Sequence, residues 1–358
     1  QDLAATAGLW PLDRGCVSIA QRVAQVVKLM SNSNAHLKQR RLRQNRHIRE
    51  LTREVRVAAE QFVQPLFVVE DLAAREAVPG LGGVYRETPA SLIAQIEADL
   101  ATGISKFLLF GVPADKALHG FDFSFTSAQI RAVKEHFAER IWLAVDVCLC
   151  SSTEHGHCGV LNAAGDHVLN GDSVAALCDA ATSYAAAGAD CVAPSDMMDG
   201  RIGQIREALD AAGYERTVIM SYSAKFQSAF YGPFRVAADS SPAANNKLSD
   251  RASYQLDPAR PHDALLSSLR DADEGADILM VKPGLPYLDV LCSLSAEIPL
   301  PWAVYHTSGE CAAVELLARE QLTDRVTANT EVWTAFVRAG ASIIISYNAR
   351  FAREWLDN

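Results

Sequence analysis

Eight short apolar runs recur along this chain, each rich in β-branched or aromatic residues. They are VQPLFVV (63–69), SKFLLFGV (105–112), IWLAVDV (141–147), ADCVAP (189–194), TVIMSYS (217–223), ADILMV (276–281), PWAVYHT (301–307) and ASIIISY (341–347). Their hydrophobicity is nearly continuous rather than alternating, which marks strands covered on both faces, as in parallel sheets. Amphipathic stretches with helical spacing lie among them: TPASLIAQIEADLATG, SAQIRAVKEHFAER, SVAALCDAATSYAAAG, GQIREALDAAG, HDALLSSLRDADEG, GECAAVELLARE and EVWTAFVRAG. Several end in glycine just before the next run, the expected helix stop. Eight β/α alternations over roughly 300 residues fit a (β/α)8 TIM barrel. An open doubly wound sheet is the competitor, and the lack of GxGxxG after any strand weakens its dinucleotide-binding form.

Two segments stand outside the alternation. Residues 1–55 carry no strand and include the basic stretch LKQRRLRQNRHIRELTREVR. They are read as an N-terminal arm, with 56–358 as the catalytic barrel. Residues 232–260 are polar and rich in Ser, Ala and Pro. A loop that long after a strand end reads as a lid over the barrel's C-terminal mouth, where such barrels keep their active sites. The formal charge is −10, which argues against nucleic acid as the main partner. The charge is uneven: residues 1–60 hold eleven Lys/Arg against five Asp/Glu, the remainder 22 against 38. A nucleic-acid arm, a targeting remnant and an inter-subunit arm all fit such a leader. No apolar run reaches the ~18 residues of a membrane span. The eight cysteines do not demand disulfides, and Cys178 and Cys191 read as small core residues. Cytoplasm is the expected compartment, with plastid import compatible with the leader.

Three motifs carry chemistry. In DVCLCSSTEHGHCG, Cys148, Cys150 and Cys158 follow a strand end in a C-x-C-x7-C pattern. Thiolates are soft ligands that suit zinc, and three of them leave a fourth position open. A closed structural site using His155 or His157 is the alternative, and chance structural cysteines are the bland reading. Asp146, on the same strand, could orient or protonate a bound group or form a salt bridge. In IMSYSAKFQSAFYGPFR, Lys225 ends a strand beside Tyr222, Phe226, Phe230, Tyr231 and Phe234, an apolar wall expected to favour the neutral amine. In DADEGADILMVKPGLPYLDV, Lys282 ends another strand before Pro-Gly. A neutral lysine amine attacks carbonyls to give Schiff bases; a surface lysine is the bland reading of each. Arg235, Arg251 and Gln255 could clamp a carboxylate, although arginines in polar loops are usually solvated. Ser308 in YHTSGE reads as an N-cap or a carboxylate binder, and Tyr347 as a mouth packing residue or a second binder.

Together these segments resemble the porphobilinogen synthase (5-aminolevulinic acid dehydratase) family. The matching stretches are RRLRQN, QPLFVVE, LLFGVP, DVCLCSSTEHGHCGVL, GADCVAPSDMMDGRIGQIREALD, IMSYSAKFQSAFYGPFR, SYQLDP, EGADILMVKPGLPYLDV, YHTSGE and IIISY, from about residue 40 to the end. The resemblance implies a barrel whose N-terminal arm wraps a neighbouring subunit, usually in an allosteric homo-octamer. It implies a hydro-lyase of heme and chlorophyll (tetrapyrrole) biosynthesis that condenses two 5-aminolevulinate molecules to porphobilinogen, losing two waters. Carried over, Lys282 holds the first substrate (P side) and Lys225 the second (A side) as Schiff bases. Ser308 and Tyr347 match the P-side carboxylate binders; Arg235, Arg251 and Gln255 match the A-side ones. Cys148, Cys150 and Cys158 match the catalytic zinc ligands, and Asp146 and Ser195 match residues beside the A-side substrate.

The sequence also departs from the family. Ser253 stands where some animal members have a cysteine of a second zinc site. Asp263, within RPHDA, stands where many bacterial relatives have the glutamate of an allosteric magnesium site, which puts magnesium activation in doubt. ADKALHGFDFSF, YNAR and NTEVW differ from the common pattern. A paralogue that joins 5-aminolevulinate to a different partner is the alternative function. A non-catalytic barrel predicts loss of a lysine or a zinc cysteine, and none is lost.

Overall fold

The computed structural model describes residues 38–242 and 247–357. The chain divides into two units, 1–54 and 55–358. In the first, the described residues form two short helices, Lys38–Arg41 and Arg46–Leu51. The basic stretch is therefore not one continuous helix. Asn45 interrupts it as an N-cap, its Oδ1 accepting from the Ile48 amide at 3.1 Å. The rest of the expected arm lies outside the described residues.

The second unit contains all eight expected strands: β1 Phe62–Val69, β2 Lys106–Val112, β3 Trp142–Val147, β4 Cys191–Pro194, β5 Val218–Lys225, β6 Ile278–Lys282, β7 Trp302–His306 and β8 Ile343–Ser346. Each pairs in parallel with the next, and β8 returns to β1 through Phe62↔Ile344 and Val63↔Ile345. The sheet is thus a closed (β/α)8 TIM barrel. Helices α1 Pro89–Ala101, α2 Ser124–Phe137, α3 Asn170–Ala186 and α4 Arg201–Ala211 connect the first five strands. α5 Gly232–Ala237 and α6 Pro261–Asp273 precede β6, and α7 Leu288–Glu297 precedes β7. α8 Ser308–Arg319 and α9 Arg325–Arg338 precede β8, and α10 Ala352–Asp357 follows it. Gly103, Gly188, Gly213, Gly275 and Gly340 stop helices before strands, with φ between +83° and +111°, where a Cβ would be strained.

Two apolar layers follow from strand alternation. Leu109, Val145, Leu279 and Val304 point outward against the helices. Val63, Phe67, Leu108, Phe110, Ala144, Ala193, Met220, Tyr222, Met280, Tyr305 and Ile345 fill the barrel. Cys191 is fully buried in the inner layer, and Cys178 is half-buried against the outer one.

Among its described residues, the segment 232–260 holds more regular structure than its composition suggests. It opens with α5, and its return pairs with the end of β5: Gln227 N donates to Leu256 O at 2.8 Å and Leu256 N to Lys225 O at 3.1 Å. Among the described residues no helix is long and apolar enough to cross a membrane.

Candidate active site

The inward phase of the strands places the site. On β3, β4, β6 and β8 the last inward apolar residues are Ala144, Ala193, Met280 and Ile345. Two residues further on, in the same phase, stand Asp146, Ser195, Lys282 and Tyr347. Lys225 is out of phase, since alternation from the inward Tyr222 would turn it toward the helices. The pairing of β5 with β6 shifts between Ser221 and Ala224, which resets the phase. Ala224 then packs outward, and Lys225 pairs directly with Lys282.

Both lysines are buried, 5% and 3% exposed. Lys225 Nζ donates to the Ser195 carbonyl and lies 5.6 Å from the Tyr222 ring centre. The aromatic wall expected around Lys225 forms around Lys282 instead. Lys282 Nζ is 4.1 Å from the Tyr305 ring centre, 4.8 Å from Phe234, 5.1 Å from Tyr222 and 5.3 Å from Tyr231. Of the other rings, Phe226 stacks on Tyr287 at 3.9 Å, and Phe230 is 40% exposed. Burial, reinforced by the Lys225 charge and opposed by Asp146, pulls the Lys282 amine down to about 7. Asp146 has no salt bridge among the described residues. Burial raises its carboxyl to about 6 against the pull of the two lysines. Its Oδ1 and the Tyr222 hydroxyl are enclosed without hydrogen-bond partners.

Unpartnered buried polar atoms also occur on the residues matched to a carboxylate site. They are Arg235 Nε, Arg251 Nε and both polar atoms of the Gln255 side chain. Buried polar groups are rarely left without partners, so a cluster of them fits an absent ligand. Arg251 and Gln255 are 3% and 4% exposed despite their polar loop. Arg251 reaches the Gly156 carbonyl at 3.0 Å and the Ser240 carbonyl at 2.5 Å. Burial and the nearby Arg251 charge hold the Arg235 guanidinium below its ordinary range.

Near Lys282, Ser308 Oγ accepts from Phe234 N at 3.0 Å, and Tyr347 OH accepts from Tyr305 OH at 3.1 Å. Each hydroxyl keeps its own proton to donate. Ser308 is not the helix cap: Thr307 is, in a capping box with Glu310. Glu310, which the sequence reading passed over inside YHTSGE, is 2% exposed and bonds the turn after Lys282.

The three cysteines converge, with sulfurs within 4.8 Å of one another. Cys148 and Cys150 Sγ are 3.3 Å apart. Hydrogen bonds from the other two thiols hold Cys158 well below the usual thiol range. The donor set is all sulfur, with Cys150 and Cys158 buried and Cys148 half-buried, which fits a soft or borderline metal. His157 does not join it. Its Nδ1 meets Tyr254 OH at 3.1 Å, and its Nε2 meets the Leu248 carbonyl at 3.0 Å. The Tyr254 hydroxyl also accepts from Cys158 N at 3.3 Å. The lid is thereby latched to the cysteine loop. Gly156 admits the close approach, since a Cβ there would stand 2.3 Å from Ser241 O. Asp263 is bound at both oxygens by Arg260, at 2.7 and 2.9 Å. An open cavity of about 410 Å³ near His119, Asn162 and Lys247 has neither lysine nor any of the three thiols in its walls.

A family model for delta-aminolevulinic acid dehydratase matches residues 36–355. The chain is 40% identical over 330 residues to the Bacillus subtilis delta-aminolevulinic acid dehydratase, covering 90% of this chain and 99% of that one. It is 42% identical over 316 residues to the Helicobacter pylori enzyme of the same name, covering 87% and 96%. Its fold matches, at a TM-score of 0.84 and 38% identity, the crystal structure of the Toxoplasma gondii delta-aminolevulinic acid dehydratase (porphobilinogen synthase) in complex with its reaction product porphobilinogen, covering 88% of this chain and 90% of that one. With the closed barrel, the paired lysines and the thiol cluster already in view, these matches establish that the chain belongs to the delta-aminolevulinic acid dehydratase family.

Proposed function

We propose that this hydro-lyase condenses two 5-aminolevulinate molecules to porphobilinogen and two waters, through lysine Schiff bases and with a metal on the three thiols. The observation that carries this reading is the direct pairing of two buried lysines, Lys225 and Lys282, on adjacent strands. Two such amines can hold two ketones side by side, which a one-lysine aldolase site cannot.

The P-side substrate is assigned to Lys282, whose amine, pulled down to about 7, is about half neutral at pH 7. Its nitrogen lone pair attacks the ketone carbon, and the C=O electron pair moves to oxygen. The oxygen takes one proton from the attacking nitrogen and one from an acid, and leaves as water, giving the iminium. The four surrounding rings exclude bulk water and stabilise the cation. The free protons of Ser308 and Tyr347 are aimed at that substrate's carboxylate. Lys225 takes the A-side substrate, whose carboxylate fills the space beside Arg235, Arg251 and Gln255 and supplies their missing partners. Asp146, on which both lysine charges act and whose carboxyl burial raises to about 6, is suited to moving a proton at the A-side amine or carbon. Ser195 holds Lys225 Nζ through its carbonyl. Cys148, Cys150 and Cys158 would hold zinc, which when bound supplies Lewis acidity beside the A-side substrate. The N-terminal arm, a homo-octamer and a cytoplasmic location belong to the same reading. Magnesium activation stays in doubt, since the Asp263 carboxylate pairs with Arg260.

The test is porphobilinogen formation by Lys282→Ala. Turnover should fall below detection, and appreciable residual activity would remove the assigned role. A folded, metal-loaded wild-type protein that consumes 5-aminolevulinate without making porphobilinogen would instead favour the paralogue.

A further inference from the structure

Glu310 is a carboxylate 2% exposed to solvent, and among the described residues it has no salt bridge. Burying such a charge is costly unless it is fully hydrogen-bonded. Here it is. Oε2 accepts from Thr307 N at 2.6 Å, Thr307 Oγ1 at 2.5 Å and Gly284 N at 3.4 Å. Oε1 accepts from Leu285 N at 2.5 Å. Two of these donors lie in the turn that follows Lys282. The other two belong to the residue just before Ser308.

The residues around Glu310 close the same assembly. Gly309 lets α8 approach the 229–231 turn so closely that a Cβ would stand 2.7 Å from the Phe230 backbone. That turn carries Tyr231, whose hydroxyl donates to the Phe226 carbonyl at 2.7 Å and the Lys282 carbonyl at 3.3 Å. Gly284 sits where a Cβ would meet the Phe336 ring at 2.5 Å, so the turn cannot retreat toward α9. Ser308, Gly309 and Glu310 thus have distinct tasks: one faces the substrate, one allows close packing, and one ties the helix start to the lysine turn.

We propose that Glu310 is a positioning residue that locks the Lys282 turn to the start of α8, so that the attacking amine and the Ser308 carboxylate binder form one rigid unit. The inference rests on the reading of Lys282 as the P-side nucleophile. Displacing a reacting group by an ångström costs up to about a hundredfold in rate. An amide at position 310 would turn an NH2 toward either the Leu285 N–H or the Thr307 donors, so Glu310→Gln breaks the lock with almost no change of volume.

The experiment mixes 5-aminolevulinate with the full-length enzyme, quenches with sodium borohydride at successive times and maps the labelled peptide by mass. For Glu310→Gln we expect the rate constant of labelling at Lys282 to fall on the order of tenfold at full amplitude, with the thermal transition retained. A role only in folding would lower the amplitude, meaning the fraction of molecules trapped, and leave the rate constant within twofold of wild type; that result overturns the proposal. Should Glu310→Gln not fold, Thr307→Val removes one bond to the same carboxylate and should slow labelling, while Thr307→Ser keeps the wild-type rate. Equal rates for Thr307→Val and Thr307→Ser overturn the proposal too. Absence of label at the Lys282 peptide of the wild-type enzyme would instead defeat the underlying reading of the site.

Discussion

Lys282 and Lys225 are neighbours in the barrel, yet their surroundings differ. Four aromatic rings enclose the Lys282 amine, and its value near 7 makes it a nucleophile at physiological pH. The initial rate of Schiff-base trapping at Lys282 should therefore rise with pH and level off above about 7; a rise centred near 10 would contradict the burial argument. The shift also has a stability side. An unfolded lysine holds its proton up to its ordinary value of 10.5, so between about 7 and 10.5 the unfolded chain binds more protons than the folded one. Stability contributed by this group accordingly rises with pH through that window. Asp146, Lys282 and Tyr347 are legible in the sequence as polar residues closing apolar runs, and Ser195 only through the family resemblance; the inward phase they share is visible only in the folded barrel. Lys225 was found only as a lysine at a strand end. The phase reset that turns it inward is hidden in IMSYSAK, where every residue from Met220 to Ala224 is buried and no periodicity survives.

At the scale of elements, the lid and the cysteine loop form one structure. Tyr254 is the latch, bonded to His157 Nδ1 and the Cys158 amide. Groups that orient metal ligands typically contribute 10–100-fold in affinity. Tyr254→Phe should weaken zinc binding on the order of tenfold in competition with a chromogenic chelator. Unchanged affinity would show that the latch does not reach the thiols. Composition hid this arrangement, because a segment rich in Ser, Ala and Pro reads as solvated although Arg251 and Gln255 within it are buried. The strands were legible because β-branched runs have few other uses. α7 was missed, since LPYLDVLCSL satisfies a helix and a strand pattern alike, and a two-stranded hairpin of Glu76–Ala77 with Tyr85–Glu87 is too short for any periodicity. Glu310 was missed because acceptors for backbone amides have no sequence signature beyond the capping box, and that motif is ordinarily structural.

Across the whole molecule, a basic N-terminal segment precedes an acidic barrel, and that asymmetry is what the arm reading explains. Deleting residues 1–45 should yield smaller particles by light scattering, and an unchanged mass would remove the arm from the account. Both lysines, three thiols, Asp146 and two candidate carboxylate sites all come from residues 146–347. The central claim is that these groups together make a metal-dependent condensation site. It is tested most directly by colorimetric porphobilinogen formation from 5-aminolevulinate, after exhaustive chelation and again after zinc is restored. Activity should disappear on chelation and return with zinc. Full activity in verified metal-free protein, or none in zinc-loaded protein, would contradict the claim.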